Sequence, residues 1–242
     1  METDESRQSD VIRANLAGIK RRIEEAAKSA GRESDKIEIV AVTKTHPAGT
    51  LRAAQEAGLT LFGENYVQEA LAKQDELRDV PGIVWHFIGH LQSNKAQQVV
   101  GRFALIQTID SDKLASKVSQ AAERLGTTQE ILIQVHLGDE ATKFGVMPSD
   151  LMALCEKVVG FSNLSLRGLM GIAPVTAEDG SVADPRPYFA RLRELVGALP
   201  AANRQVLSMG MSGDFEAAVQ EGATMVRIGT ALLGSRPGKP AL

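Results

Sequence analysis

The feature that most constrains this chain is a regular alternation between short apolar runs and segments with helical periodicity. The runs are rich in Val, Ile and Leu and have the length of strands, while the segments between them repeat apolar residues at helical spacing. After the first ~35 residues, each run and the segment that follows it take about 26 residues, close to the ~30 of a strand–helix–strand unit. We expect roughly eight strands, at residues 37–42, 60–63, 84–89, 103–108, 131–135, 164–169, 205–209 and 225–229.

Eight such units favour an α/β fold with a single (β/α)8 barrel of the TIM type, and a doubly wound open sheet is the alternative. Only 4% of the residues are aromatic, so Val, Ile, Leu, Ala and Met must fill the interior, which suits helices packed around a parallel sheet. No Pro-, Gly- or Ser-rich linker divides the sequence, and residues 176–187 are the one long irregular insertion. We therefore expect one domain.

An additional helix precedes the first strand. Asp10 is placed to cap its first turn, and Gly31 is placed to end it. On this prediction residues 1–9 are a polar tail, residues 10–236 are the barrel with its extra helix, and residues 237–242 are a second short tail. The apolar stripe of the helix consists of Ile12, Leu16, Ile19, Ile23 and Ala27.

Composition and charge narrow the classes of partner. The sequence is 43% hydrophobic and 24% charged, which is typical of a globular protein. Its 27 Lys and Arg are balanced by 30 Asp and Glu, so we expect neither nucleic acid nor a membrane as a partner. A single cysteine, the lack of an apolar run long enough to span a membrane and a polar N-terminus lead us to expect a reducing, cytoplasmic setting.

Motifs for several other ligands are missing from the sequence. It has no Gly-x-Gly-x-x-Gly after a strand and no phosphate loop ending in Gly-Lys-Ser/Thr, so it gives no support for dinucleotide or nucleoside triphosphate binding. His86 and His90 would lie ~13 Å apart along a strand, too far to share a metal ion without further ligands. We therefore predict no metal site.

Lys44 closes the first predicted strand, and in a parallel barrel the functional site lies where the strands end. A lysine at the barrel mouth is partly desolvated, which lowers its pKa and exposes the free amine that imine formation with an aldehyde requires. The alternative is a lysine whose side chain simply extends from a strand end to solvent.

Two glycine-containing loops follow the last two predicted strands, where barrels frequently bind phosphate. Ser212 lies in the loop after the seventh strand, and Gly229 with Thr230 follows the eighth. Glycines permit close backbone approach, and the hydroxyls and amides could bind a phosphate. Ordinary turn glycines with a serine that caps a helix would give the same sequence pattern.

Arg227 lies within an apolar strand and needs a hydrogen-bond acceptor there, because an unpaired guanidinium is costly to bury. A ring nitrogen or a phosphate oxygen could be that acceptor, and so could a neighbouring carboxylate. An aldehyde, a phosphate and a heterocyclic acceptor occur together in pyridoxal 5′-phosphate (PLP). We therefore predict PLP as the cofactor, with Lys44 as its internal aldimine.

At these residues the sequence resembles the pyridoxal phosphate homeostasis protein family, whose members are single-domain barrels similar to the N-terminal domain of alanine racemase. The resemblance extends over residues 37–236. The segments that carry it are 41–45 (AVTKT), 62–69 (FGENYVQE), 86–95 (HFIGHLQSNK), 208–216 and 226–234.

The resemblance implies that Lys44 carries the cofactor and that Arg227 faces its pyridine nitrogen. It also implies a phosphate site formed by Ser212, Gly229 and Thr230.

Four further residues follow from the same resemblance. Asn65 lies in a family segment beside the cofactor, and Ser208 is a secondary candidate. Lys143 matches a lysine that family members carry after the fifth strand; it is either a second, transfer-related cofactor contact or a solvated loop lysine. His136 departs from the pattern, because the family usually has asparagine there.

The residues favour a carrier over an enzyme. An arginine at the pyridine nitrogen disfavours protonation of the ring and weakens the electron sink that amino-acid carbanions need. Racemases of this fold tolerate such an arginine but need a second base, which the resemblance places on an additional β-domain that we do not expect here. We predict a non-catalytic protein that holds PLP and supplies it to apo-enzymes. A small amino-acid racemase or another PLP enzyme is one alternative, and a barrel that binds a phosphate ligand without aldehyde chemistry is another.

Overall fold

The protein is a closed barrel of eight parallel strands in chain order, in which β1 pairs with both β2 and β8. The computed structural model describes residues 4–138, 144–174 and 183–235. All eight predicted strands are present within two residues of the expected ends, and closure of the sheet excludes the doubly wound alternative. The strands are β1 (Glu38–Val42), β2 (Leu61–Glu64), β3 (Val84–Phe87), β4 (Leu105–Ile109), β5 (Gln129–Val135), β6 (Leu164–Gly171), β7 (Val206–Ser208) and β8 (Met225–Ile228).

The helices surround the barrel and bury their apolar faces against the outer side of the strands. In the described part of the chain, no helix is long and apolar enough to cross a membrane. The helices are α1 (Asp4–Ser29), α2 (Ala48–Glu56), α3 (Val67–Glu76), α4 (Ala96–Val99), α5 (Asp112–Arg124), α6 (Leu151–Val159), α7 (Arg186–Gly197), α8 (Phe215–Gln220) and α9 (Thr230–Leu233).

The first helix, α1, begins earlier than the sequence suggests. It starts at Asp4 rather than after a cap at Asp10, so residues 4–9 are helical and not a polar tail. Within this stretch Gln8 donates a hydrogen bond to the Thr50 hydroxyl of α2 at 3.1 Å, a polar contact that no apolar pattern reveals. The predicted end is confirmed, since the helix stops at Ser29 and Gly31 follows with φ +67°.

The barrel interior is apolar at one level and polar above it. Val40, Leu105, Leu132, Met170 and Met225, from five different strands, form a packed apolar layer. Because side chains alternate along a strand, residues two positions further on also face inward. Those positions lie nearer the carboxyl ends of the strands, so they set the chemistry of the barrel mouth.

Candidate functional site

The first and last strands bring predicted site residues to one edge of the mouth. β1 and β8 pair with Val40 opposite Arg227. Two residues further on, a Cβ atom built on Gly229 would lie 3.5 Å from the Cβ of Val42. Lys44 follows Val42 by two residues and is partly buried, so the strand alternation places it on the interior face beside this edge.

Ser212 joins the loop after β7 to the start of α9. Its hydroxyl oxygen accepts hydrogen bonds from the backbone amides of Gly229 at 3.3 Å and Ala231 at 3.4 Å. The residue at the start of α8 is Asp214, so Ser212 does not cap that helix. The two predicted phosphate loops therefore meet, and two amide donors point at one oxygen between them, with the exposed Thr230 alongside.

Arg227 is buried, with 4% of its surface exposed, and both of its hydrogen-bond acceptors are neutral oxygens. Its Nη1 donates to the Ser208 hydroxyl at 2.8 Å, and its Nη2 donates to the Gly171 carbonyl at 2.9 Å. Burial lowers the pKa of Arg227 to about 10, and the negative charge of Asp214 opposes this shift. The guanidinium therefore stays positive at neutral pH without a carboxylate bonded to it among the described residues.

A chain of hydrogen bonds extends from Arg227 across the barrel interior. The Ser208 hydroxyl donates to Gln107 Oε1 at 2.7 Å, and Gln107 Nε2 lies 3.0 Å from His86 Nδ1. Burial lowers the pKa of His86 to about 4, so the ring is neutral and its Nδ1 accepts from Gln107. We call Arg227, Ser208, Gln107 and His86 the interior chain.

Sequence reasoning missed Gln107 and considered His86 only as a metal ligand. The available signal was a glutamine in the middle of an otherwise apolar predicted strand. Ser208, a secondary candidate from the sequence, is fully buried behind Arg227. Among the described residues no cluster of His, Cys, Asp and Glu could hold a metal ion.

Asn65 follows β2 at the mouth and is held there by close backbone packing. A Cβ atom on Gly89 would lie 2.1 Å from the Asn65 carbonyl oxygen, so only glycine fits at that position. The Gly89 carbonyl in turn accepts a hydrogen bond from Thr108 Oγ1 at 2.7 Å. The Asn65 side-chain oxygen is buried and has no hydrogen-bond partner among the described residues, which marks it as an acceptor for a bound group.

A second polar group lies on the outer side of β1 and β2, under α3. Lys73 Nζ donates to Glu64 Oε1 and to Glu69 Oε1, both at 2.6 Å, and to the Thr43 carbonyl at 2.7 Å. Glu64 is fully buried; burial raises its pKa, and the Lys73 ammonium opposes that rise. We call Glu64, Glu69 and Lys73 the outer cluster; the sequence analysis did not identify it.

Two further residues from the sequence resemblance are Lys143 and His136. Lys143 falls outside the described residues. His136 is buried at the end of β5, where its backbone amide donates to the Val146 carbonyl at 2.9 Å.

Comparison with known proteins identifies relatives over almost the whole chain. Residues 14–237 match the model of the alanine racemase N-terminal domain. A pyridoxal phosphate homeostasis protein of Pseudomonas aeruginosa is 48% identical over 231 residues, covering 95% of this chain and 98% of that protein. The structure of PipY from Synechococcus elongatus with PLP bound is 38% identical, covers 92% of this chain and all of its own, and superposes with a TM-score of 0.79.

An alanine racemase of Clostridium difficile shares the fold at greater distance. It is 17% identical with a TM-score of 0.72, and the match covers 95% of this chain but 58% of the racemase.

Proposed function

The chain belongs to the pyridoxal phosphate homeostasis protein family, built on the alanine racemase N-terminal domain, and we propose that it binds PLP at the mouth of its barrel. In this role it takes part in maintaining the PLP supply and passes the cofactor to enzymes that lack it. The observation that carries the proposal is the buried Arg227, at the same edge as Lys44 and the amides around Ser212; among the described residues this cation is hydrogen-bonded only to neutral oxygens.

The residues at the mouth suit three of the functional groups of PLP. The aldehyde of PLP reacts with primary amines, and Lys44 would hold it covalently. Its phosphate suits the amides and hydroxyls of Ser212, Gly229 and Thr230. Its ring nitrogen suits the Arg227 guanidinium, which is a permanent donor.

Two further residues support this arrangement. The unpaired side-chain oxygen of Asn65 is an acceptor at the same mouth. Ser208 is enclosed behind Arg227 and acts through it rather than on the cofactor. Lys143 stays a proposal from the sequence resemblance, as a second cofactor contact.

Arg227 also favours holding PLP over transforming amino acids. PLP promotes amino-acid reactions by withdrawing electrons, most strongly when its ring nitrogen is protonated. Arg227 keeps its own proton at neutral pH, because even after burial its pKa is about 10. A ring nitrogen that accepts from this cation is not protonated, which weakens electron withdrawal and suits a carrier.

The decisive experiment is reductive trapping of the purified protein with PLP and borohydride, followed by peptide mass mapping. We expect a visible absorbance band of lysine-bound PLP and a label on Lys44. Lys44→Ala should lose both, whereas the exposed control Lys113→Ala should keep both. A label confined to other lysines would refute the proposed site.

The racemase alternative has its own test. The PLP-loaded protein is assayed with a panel of free amino acids for racemisation and transamination. Turnover that reaches ordinary enzyme rates of ~1–10³ per second and disappears in Lys44→Ala would refute the carrier role. For the proposed partners, transfer of PLP to an apo-enzyme is measured as restored activity of that enzyme.

A further inference from the structure

Both neighbours of Lys44 are tied to the outer cluster. The Thr43 hydroxyl donates to Glu64 Oε1 at 2.7 Å, and the Thr43 carbonyl accepts from Lys73 Nζ at 2.7 Å. On the other side, the backbone amide of Thr45 donates to Glu69 Oε1. The backbone on either side of Lys44 is therefore held from outside the barrel, by residues that do not reach the mouth.

Thr45 needs such a restraint because its backbone is strained. Its φ of +66° is the only left-handed value for a non-glycine residue in the part of the chain that the structure describes. A β-branched side chain disfavours this conformation, which persists only where surrounding contacts enforce it. The turn it makes closes at once, since the His46 amide donates to the Thr43 carbonyl at 3.1 Å.

The outer cluster also distinguishes two lysines that lie near each other in the fold. Lys73 makes three hydrogen bonds, to two carboxylates and one carbonyl, and so uses all three ammonium protons. It must keep its charge to make them, and its side chain is only 6% exposed. An ammonium group in this state is a poor nucleophile. We therefore expect an aldehyde at the mouth to react with Lys44 and not with Lys73.

We infer that the outer cluster is a positioning device for Lys44: Glu64 and Lys73 fix the strand end before it, and Glu69 fixes the strained turn after it. This inference rests on the proposed function, because it concerns how Lys44 presents its amine to PLP. The competing interpretation is that the cluster only fastens α3 to the barrel, in which case it affects stability and not the reaction of Lys44.

The test compares two glutamates on α3. Glu69→Ala removes the acceptor of the Thr45 amide, while Glu76→Ala removes an exposed carboxylate two turns further along the same helix. The readouts are the rate at which the band of lysine-bound PLP appears, the site of the borohydride label and the melting temperature of the PLP-free protein. We expect Glu69→Ala to slow band formation by about tenfold, and Glu76→Ala to react like the unmodified protein.

Two further variants separate positioning from stability. Thr45→Gly keeps the backbone amide, relieves the strain and gives the turn more backbone freedom, so we expect the melting temperature to rise while band formation slows. Glu69→Gln keeps an oxygen that can accept from Thr45, so it should restore part of the rate lost in Glu69→Ala. A merely structural cluster would instead change rate and melting temperature in the same direction.

The outcomes distinguish the proposed function from the positioning role of the outer cluster. If the protein with its native sequence is not labelled at Lys44, the proposed function fails. If Lys44 is labelled but Glu69→Ala and Thr45→Gly form the band as fast as the protein with its native sequence, the positioning role is overturned and the proposed function stands. Should Glu69→Ala fold poorly, Thr45→Gly and Thr43→Val, which removes the hydroxyl bonded to Glu64, decide the question by the same readouts.

Discussion

The interior chain and the outer cluster are both buried polar networks, but they differ in how the charge of their cation is paired. The interior chain has one cation, Arg227, and its other groups are neutral. Successive hydrogen bonds link these residues across the barrel. The outer cluster pairs its cation, Lys73, with two carboxylates. Charge is thus paired directly where it supports the backbone, whereas at the mouth Arg227 has no carboxylate bonded to it among the described residues and interacts with the Asp214 charge without a hydrogen bond. A buried cation with no carboxylate bonded to it is available to a ligand, whereas a directly paired one is not.

The largest expected effect comes from a substitution that breaks the ion pairs of the outer cluster. Lys73→Met leaves Glu64 buried without its cation, and we expect the free energy of unfolding at neutral pH to fall by about 3–5 kcal/mol. Urea unfolding measures this loss, with the exposed Lys113→Met as the control. The double variant Glu64→Gln/Lys73→Met, which removes both charges, should recover much of it. A single variant as stable as the unmodified protein would contradict the pairing.

The next effect concerns His86 and pH. Its pKa is about 4 in the folded protein against an ordinary 6.5, so between these values the unfolded chain binds a proton that the buried ring does not. Stability is therefore lost as the pH falls through this range, by about 3 kcal/mol from this group alone. His86→Asn keeps an acceptor for Gln107 but cannot titrate, so its urea unfolding curve should depend less on pH. Identical pH dependence in the two proteins would show that His86 is not buried as described.

A smaller effect is expected at the proposed phosphate site. Ser212→Ala removes a hydroxyl between the amides of Gly229 and Ala231, and we expect PLP binding to weaken by about 1–3 kcal/mol. Titration with PLP measures the affinity, and a parallel thermal melt of the PLP-free protein checks that folding is preserved. Equal affinity in the variant would place the phosphate elsewhere.

The smallest effect on stability is expected at Arg227, which has no carboxylate bonded to it among the described residues. Arg227→Gln removes a costly buried cation, so the free energy of unfolding should change by no more than about 1 kcal/mol, in contrast to Lys73→Met. PLP retention should nevertheless weaken and the absorbance of the bound cofactor should shift, because the fixed charge beside the ring is gone. An unchanged spectrum and affinity would remove Arg227 from the site.

The fold was largely predictable because its signals are local. Each strand appears in the sequence as an apolar run with turn residues at its ends, and parallel strands place those ends at one edge of the barrel. Lys44, Ser212 and Gly229 could be assigned to the mouth on this basis alone. The first turns of α1 could not, since a hydrogen bond from Gln8 to α2 replaces the apolar pattern there.

The supporting networks escaped prediction because they are long-range. Gln107 and Ser208 are 101 positions apart in sequence and meet only inside the closed barrel. Lys73 lies on a helix and looks like any solvated lysine until α3 packs over Glu64 and Thr43. Periodicity shows which face of an element is buried, but not which polar side chains on separate elements will meet.

The pairing of β1 with β8 has a consequence for when the pocket exists. Lys44 is made early in synthesis and Gly229 late, and only closure of the ring joins them. On the proposed function, a nascent chain that lacks β8 has Lys44 but not Gly229 and Thr230, so we expect it to capture PLP only after β8 has been made and has paired with β1. A ligand that contacts both β1 and β8 should also stabilise their pairing. It should therefore slow the exchange of the amide hydrogens that are bonded between the two strands.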